Sequence, residues 1–213
     1  PDYEPAGEDA GFYRALARWR LIRHEEDRAL EALERAAALD PSSGDTWRQL
    51  GTVALERRQP LKARAAWQSA VQADPDGAEA YRALARLSTQ QGRREEAETF
   101  YWRAAGLQRP DGEFAAELGG FLREAGRLPL AAEWYRSAMS LGGGERPGFL
   151  LAYGRVLNEL KAWELGEQLA QFAMRRFPAD GAFPLLLGEM QLEQARWQEA
   201  EPLLARAAEL SPG

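Results

Sequence analysis

The sequence predicts an all-α fold, an α-solenoid of six stacked helix pairs. Three observations carry this. Residues of the same kind recur at an offset of 34 along nearly the whole chain of 213 residues. Within each unit, apolar residues follow a period near 3.6 over two segments of about 12 to 14 residues, which marks paired amphipathic helices. Gly and Pro fall where such helices stop or start.

The offset can be read directly. Ala29, Ala63, Ala97 and Ala131 are 34 apart, as are Ala36, Ala70, Ala104 and Ala138. Leu33, Trp67, Tyr101 and Tyr135 keep the same step, and so do Pro41 and Pro75. After one extra residue near 146 the pattern resumes in Gly154 and Gly188, Ala173 and Ala207, and Pro178 and Pro212. The units are therefore 10–43, 44–77, 78–111, 112–145, 147–180 and 181–213, expected to form one domain, 10–213.

The elements follow in order. Residues 1–9, PDYEPAGED, hold four acids and two prolines and read as a solvated acidic linker. The chain begins with Pro rather than Met, so it is expected to be excised or processed from something longer. No basic segment followed by an apolar one marks a targeting signal. The first unit places Tyr13, Leu16 and Ala17 on helix A, then Ala29, Leu33 and Ala36 on helix B. In the second, helix A carries Trp47, Leu50, Gly51 and Ala54. Its helix B opens at Pro60 and carries Ala63, Trp67, Ala70 and Val71. The third has Tyr81, Leu84 and Ala85, a capping Gly92, then Ala97, Tyr101 and Ala104. The fourth has Leu118, Gly119 and Leu122, a capping Gly126, Pro129 at the next start, then Ala131, Tyr135 and Ala138.

The segment LGGGERPG at 141–148 holds the extra residue. Gly142, Gly143 and Gly144 are expected to make a wider junction or hinge rather than an anion nest. The fifth unit has Leu150, Tyr153, Gly154, Leu157, Gly166 and Ala173. The sixth has Leu187, Gly188, Ala200, Leu204 and Ala207. Pro41, Pro75, Pro178 and Pro212 close B helices, with Asp40, Asp74 and Asp180 beside the turns. Pro202 lies a turn into the last helix and is expected to delay or bend it. The small residues Gly51, Ala85, Gly119, Gly154 and Gly188 are expected to face the alanines of helix B. Leu203, Leu204 and Leu210 are expected to lack cover on their outer side, so that the natural chain continues or this end contacts another molecule.

Composition narrows the chemistry. With 45% hydrophobic and 28% charged residues the chain buries a core and is not disordered. It has no cysteine, which removes disulfides, thiolate metal sites and cysteine nucleophiles. The single histidine, His24, excludes an imidazole-rich metal site and reads as a solvated turn residue. No serine sits in a nucleophile-elbow context, and no phosphate-cradling glycine loop is present. Adjacent carboxylates, Glu25, Glu26 and Asp27 or Glu95 and Glu96, fall at helix starts, where acids suit the dipole. The expectation is no enzyme, no cofactor and no metal. A net charge of −6 and a pI near 5.1 argue against nucleic acid. No apolar run is long enough to span a bilayer. The basic residues are 25 Arg and two Lys, a bias typical of GC-rich bacterial coding. The compartment stays open, with a periplasmic or membrane-tethered setting favoured.

This pattern resembles the tetratricopeptide repeat family. The family motif has large, apolar and small residues at positions 4, 7 and 8, and a large one at 11. It continues with small, large and small at 20, 24 and 27, and Pro at 32. The second unit matches through Trp47, Leu50, Gly51, Ala63, Trp67, Ala70 and Pro75, with Ala54 departing at position 11. The resemblance implies a right-handed superhelix whose A helices line a concave groove that binds protein segments. Trp163 and Trp197, at position 17, are structural on the family pattern. Trp102 and Trp134 lie off the core positions and are read as partly buried between B helices, with an outer contact patch as the alternative.

Carrying over the family's groove positions assigns partner contact to Arg14 and Arg18, then to Arg48, Gln49 and Thr52, then to Arg82, Arg86 and Gln90. Glu113, Glu117, Arg123 and Glu124 follow, then Arg155, Asn158 and Glu159, then Glu189 and Glu193. The groove is arginine-rich in three repeats and acid-rich afterwards. Residues 10–111 sum to +2 and 112–213 to −4. Arginine forks suit carboxylates, so an acidic partner segment is expected on repeats 1–3. The alternative is a solvated surface paired within itself. The family's carboxylate clamp is incomplete, since Glu79 and Ala83 stand where basic residues belong. The leading expectation is a non-catalytic scaffold or adaptor. A second resemblance, to six-repeat outer-membrane lipoproteins that help assemble type IV pilus secretins, rests on repeat number, ELGGFLREAGR at 117–127 and the lengthened junction. The third reading is the repeat arm of a larger transferase or kinase. Self-association through the last repeat is a further expectation.

Overall fold

The computed structural model describes residues 9–107, 110–142 and 146–210. Among them lie twelve α-helices and no strand. Helices α1 (Ala10–Ile22), α2 (Glu26–Leu39), α3 (Gly44–Glu56), α4 (Pro60–Ala73), α5 (Ala78–Gln90) and α6 (Arg94–Leu107) form three antiparallel pairs. Helices α7 (Gly112–Glu124), α8 (Leu128–Ser140), α9 (Pro147–Glu159), α10 (Trp163–Arg176), α11 (Ala182–Glu193) and α12 (Trp197–Leu210) form three more. The chain groups into two units, Pro1–Arg109 and Pro110–Gly213. Gly143, Gly144, Ser211 and Pro212 lie outside the described residues, as do residues 1–8 of the expected linker. Asp9 is a correction to that linker: its carboxylate accepts the Phe12 amide at 2.7 Å and caps α1.

Caps explain most helix boundaries. Ser43 and Asp111 accept the amides of Thr46 and Phe114 at the starts of α3 and α7. Pro60 and Pro129 occupy first-turn positions of α4 and α8, where a missing N–H costs nothing. Every A helix ends in the same Schellman closure. In the first, the His24 amide bonds Leu21 O at 3.0 Å and the Glu25 amide bonds Arg20 O at 2.9 Å. The closure needs a left-handed residue. Gly92 and Gly126 supply it at φ 71° and 77°. His24, Arg58, Lys161 and Ala195 adopt it at φ 55–58° despite their Cβ atoms.

Three of the pairs pack closely through a glycine on helix A. A Cβ at Gly51 would collide with the Trp67 indole, and one at Gly188 would lie 2.8 Å from Leu204 Cδ2. At Gly119 it would stand 3.1 Å from the Tyr135 ring. The small residues thus face the large residue of helix B, not its alanines as the spacing suggested. Gly154 differs again, since its neighbour is Leu186 of α11. In the first unit Leu33, Leu50, Ala54, Trp67 and Leu84 share one buried cluster. In the second, Leu150, Ala173 and Phe183 form one cluster, and Ala170, Leu186, Leu187 and Met190 another. Fully burying side chains of this size is worth about 1.5–3 kcal/mol each.

In the last pair the expectation of a delayed helix start is corrected. Helix α12 starts at Trp197 with Pro202 inside it, so the proline does not delay it. Leu203, Leu204 and Leu210 are half-buried, and Leu203 packs on the core of its own unit. Trp163 also packs there, but Trp197 is 63% exposed and is not structural. Trp134 is half-buried, edge-on to Phe114 at 6.3 Å. Trp102 stays 38% exposed, its indole N–H donating to Glu98. No described helix is long and apolar enough to cross a membrane.

Candidate functional site

Helices α3 and α5 open onto one cavity of about 260 Å³. Residues four apart share a helix face, which brings Arg48, Thr52 and Glu56 to one wall. Arg82, Arg86 and Gln90 form the other, with Glu79 one turn before them. Trp67 reaches the same cavity from α4. It does so because Gly51 leaves room for the indole, whose N–H donates to Arg48 O at 3.2 Å. The floor is aromatic and the walls carry guanidinium, hydroxyl, amide and carboxylate groups. Arg82 is 9% exposed, so its guanidinium is set by its surroundings rather than by solvent. Glu79 and Ala83, the residues that break the family's carboxylate clamp, line this cavity too.

Sequence reasoning placed Arg48, Thr52, Arg82 and Arg86 together, and the structure does so. Others it places apart. Arg14 sits 3.2 Å from Ser43 Oγ and 3.5 Å from the Asp40 carboxylate. Arg18 is exposed. Asp45 binds both Arg48 and Gln49, the latter at 2.6 Å. That acid and the aromatic floor were not assigned to the site from sequence. Asp45 was legible as an acid three residues before an arginine. Trp67 was not, because its position reads as core.

In the second unit the polar A-helix residues bond to one another. Arg123 Nε donates to Glu159 at 2.7 Å, and Asn158 Nδ2 donates to Glu193 at 3.1 Å. Glu113 lies 3.7 Å from Arg146. Arg155 and Glu189 are exposed and Glu117 is half-buried. The acid-rich half is therefore largely a network of pairs, the alternative that the sequence left open. Burial raises the Tyr135 hydroxyl pKa above 10.0, Arg123 opposing and Glu124 reinforcing the shift. Among the described residues no cluster of three or more acids or imidazoles is placed to hold a metal. His24 is exposed in its turn, away from any constellation of catalytic groups.

The fold and this site define a class: an α-helical repeat protein with a polar, aromatic-floored cavity in its first unit. The chain belongs to the tetratricopeptide repeat family, whose profile matches residues 48–113 and 163–213. Proteins of this family are in general non-catalytic interaction modules. Three solved structures share the fold. YrrB, described as a TPR protein with an unusual peptide-binding site, is 16% identical at a TM-score of 0.80, over 86% of this chain and 94% of that one. PilF of Pseudomonas aeruginosa is 20% identical at 0.73, over 96% and 92%. PilW, a type IV pilus biogenesis factor, is 16% identical at 0.70, over 95% and 94%. A comparison with curated proteins finds no match.

Proposed function

We propose that this chain is a non-catalytic adaptor that holds a segment of a protein partner against the α3–α5 cavity. One observation carries the reading. The cavity gathers Arg48, Arg82 and Arg86 around an indole floor, and Glu56 and Glu79 share its rim. An acidic side chain next to an apolar one complements that mixture, the carboxylate meeting a guanidinium fork and the apolar group meeting Trp67. The similarity to a peptide-binding repeat protein supports the class of ligand. Arg14 and Arg18 extend the basic face beyond the cavity and Gln49 lies beside it, while Glu113, Glu117, Arg155 and Asn158 offer a separate polar face within the second unit.

The test is selection of a displayed random-peptide library on the immobilised chain. Enriched peptides should carry Asp or Glu beside an aliphatic or aromatic residue. Arg48→Glu with Arg86→Glu should weaken the best peptide at least tenfold while thermal unfolding stays unchanged. A desolvated charged contact is worth about 1.5–3 kcal/mol. Peptides without acids, or binding indifferent to the reversal, would remove the cavity from the site.

A second reading, assembly of type IV pilus machinery, is favoured by near full-length likeness to both PilF and PilW. The same immobilised chain, offered an envelope extract from a piliated bacterium, should then retain the secretin. An extract that leaves the secretin unbound argues for some other partner.

A further inference from the structure

Within each unit, a B helix packs against the A helix that follows it. The contact is built at repeating positions. On the A side, two residues seven apart point at the preceding B helix. They are Thr46 and Val53 in α3, Ala80 and Leu87 in α5, and Phe183 and Met190 in α11, all at most 4% exposed. The corresponding residues of α1, by the same offset, are Phe12 and Trp19. They are larger than most of their counterparts, yet they are 49% and 50% exposed. Ile22, one turn further on, is 74% exposed. Phe12, Ala15, Trp19 and Ile22 make a single stripe along α1, and among the described residues no helix packs on it.

The complementary half of that contact is also open. On α10, Trp163, Ala170 and Met174 pack against Leu186, Leu187 and Met190 of α11. An offset of 34 carries those three to Trp197, Leu204 and Ala208 on α12. Trp197 is 63% exposed, Ala208 is exposed and Leu204 is half-buried. Leu204 is seated against Gly188 of α11, and among the described residues no helix packs on the Trp197 and Ala208 side of α12.

A polar bond accompanies three of these contacts. The residue at the end of helix A reaches back to the preceding B helix. Arg57 grips Asp27 of α2 through two bonds of 2.7 and 2.8 Å. Gln91 accepts from Arg64 of α4, and Gln194 donates to Glu167 of α10 at 2.9 Å. In the first repeat this position is Arg23, whose guanidinium stacks 4.8 Å from the Trp19 ring and donates to Glu25 of its own turn at 3.1 Å rather than to another helix. The α12 residue 34 beyond Glu167 is Glu201, which is exposed. Charges agree over the whole length: α1 holds three arginines and no acid, whereas α12 holds three glutamates and one arginine.

We propose that the Phe12–Trp19–Ile22 face of α1 packs on the Trp197–Ala208 face of α12 from a second copy of this chain, head to tail, with Arg23 of one copy paired to Glu201 of the next. The contact reuses the internal helix-on-helix register rather than a new surface. It is heterologous, so both faces remain available at the ends of any assembly. Growth by addition follows, not a closed dimer. It does not involve the α3–α5 cavity and stands whether or not that cavity binds a peptide.

Sedimentation and light scattering of the purified chain should show mass rising with concentration past that of a dimer. Trp19→Glu, Arg23→Glu and Glu201→Arg should each abolish the rise. The double variant Arg23→Glu with Glu201→Arg should restore it, which loss of folding would not. Because the chain has no cysteine, crosslinks can be placed cleanly. Ala15→Cys mixed with Ala208→Cys should give a disulfide-linked heterodimer. A monomer at all concentrations, a plateau at twice the mass, or crosslinking of Ala15→Cys to itself would each overturn the proposal. So would adsorption of the chain to anionic vesicles that Trp19→Glu abolishes while the protein remains monomeric in solution.

Discussion

Gly51 and Trp67 show how one missing methyl shapes both core and site. The indole rests on the Gly51 backbone, reaches the α3–α5 cavity and bonds Arg48 O. Any Cβ there must displace a fully packed ring. Gly51→Ala should cost about 1–3 kcal/mol, the usual penalty of overpacking, measured by chemical denaturation. Adding Trp67→Leu should bring the double variant well below the sum of the two single losses, because the clash is then gone. Additive losses would mean that the two residues do not share this contact. The spacing of the sequence named Gly51 as a small residue facing helix B. It could not say which residue it faces, because the choice between Trp67 and its alanine neighbours depends on helix rotation.

Helix ends carry the next lesson. All six A helices close by the same left-handed turn, yet only Gly92 and Gly126 are glycines there. A left-handed L-residue is disfavoured by about 1–2 kcal/mol, and glycine recovers that at some cost in unfolded-state entropy. His24→Gly, Arg58→Gly, Lys161→Gly and Ala195→Gly should therefore each raise stability by about 0.5–1 kcal/mol. Thermal melts of the single variants check this, and a loss at all four positions would contradict the capping account. The two glycine closures were legible as helix stops. The other four were not, because His, Arg, Lys and Ala give no local signal of positive φ and are forced into it by the hydrogen bonds of the turn. Asp9 was likewise read as linker, since only geometry shows that its carboxylate meets the Phe12 amide.

For the molecule as a whole, the formal charge of −6 hides two different arrangements. In the first unit, arginines gather at a cavity. In the second, Arg123, Asn158 and Glu113 are engaged with neighbours. Partner capture through the first unit should thus weaken as salt rises from about 0.05 to 0.5 M, with most of the change in association rate. The affinity of a selected acidic peptide measured across that range checks it, and salt-independent binding would point to apolar contact instead. The 34-residue offset, helical periodicity and Gly/Pro punctuation determined the fold class and the helix pairs by themselves, because period and chain breakers are local properties of the sequence. Only the tertiary structure decided which arginines converge, which acids are already paired, and that among the described residues no helix packs on the Phe12–Trp19 side of α1 or the Trp197–Ala208 side of α12. Those outcomes depend on how helices rotate and which neighbours they meet, and a repeat pattern is the same at an open face as at a buried one.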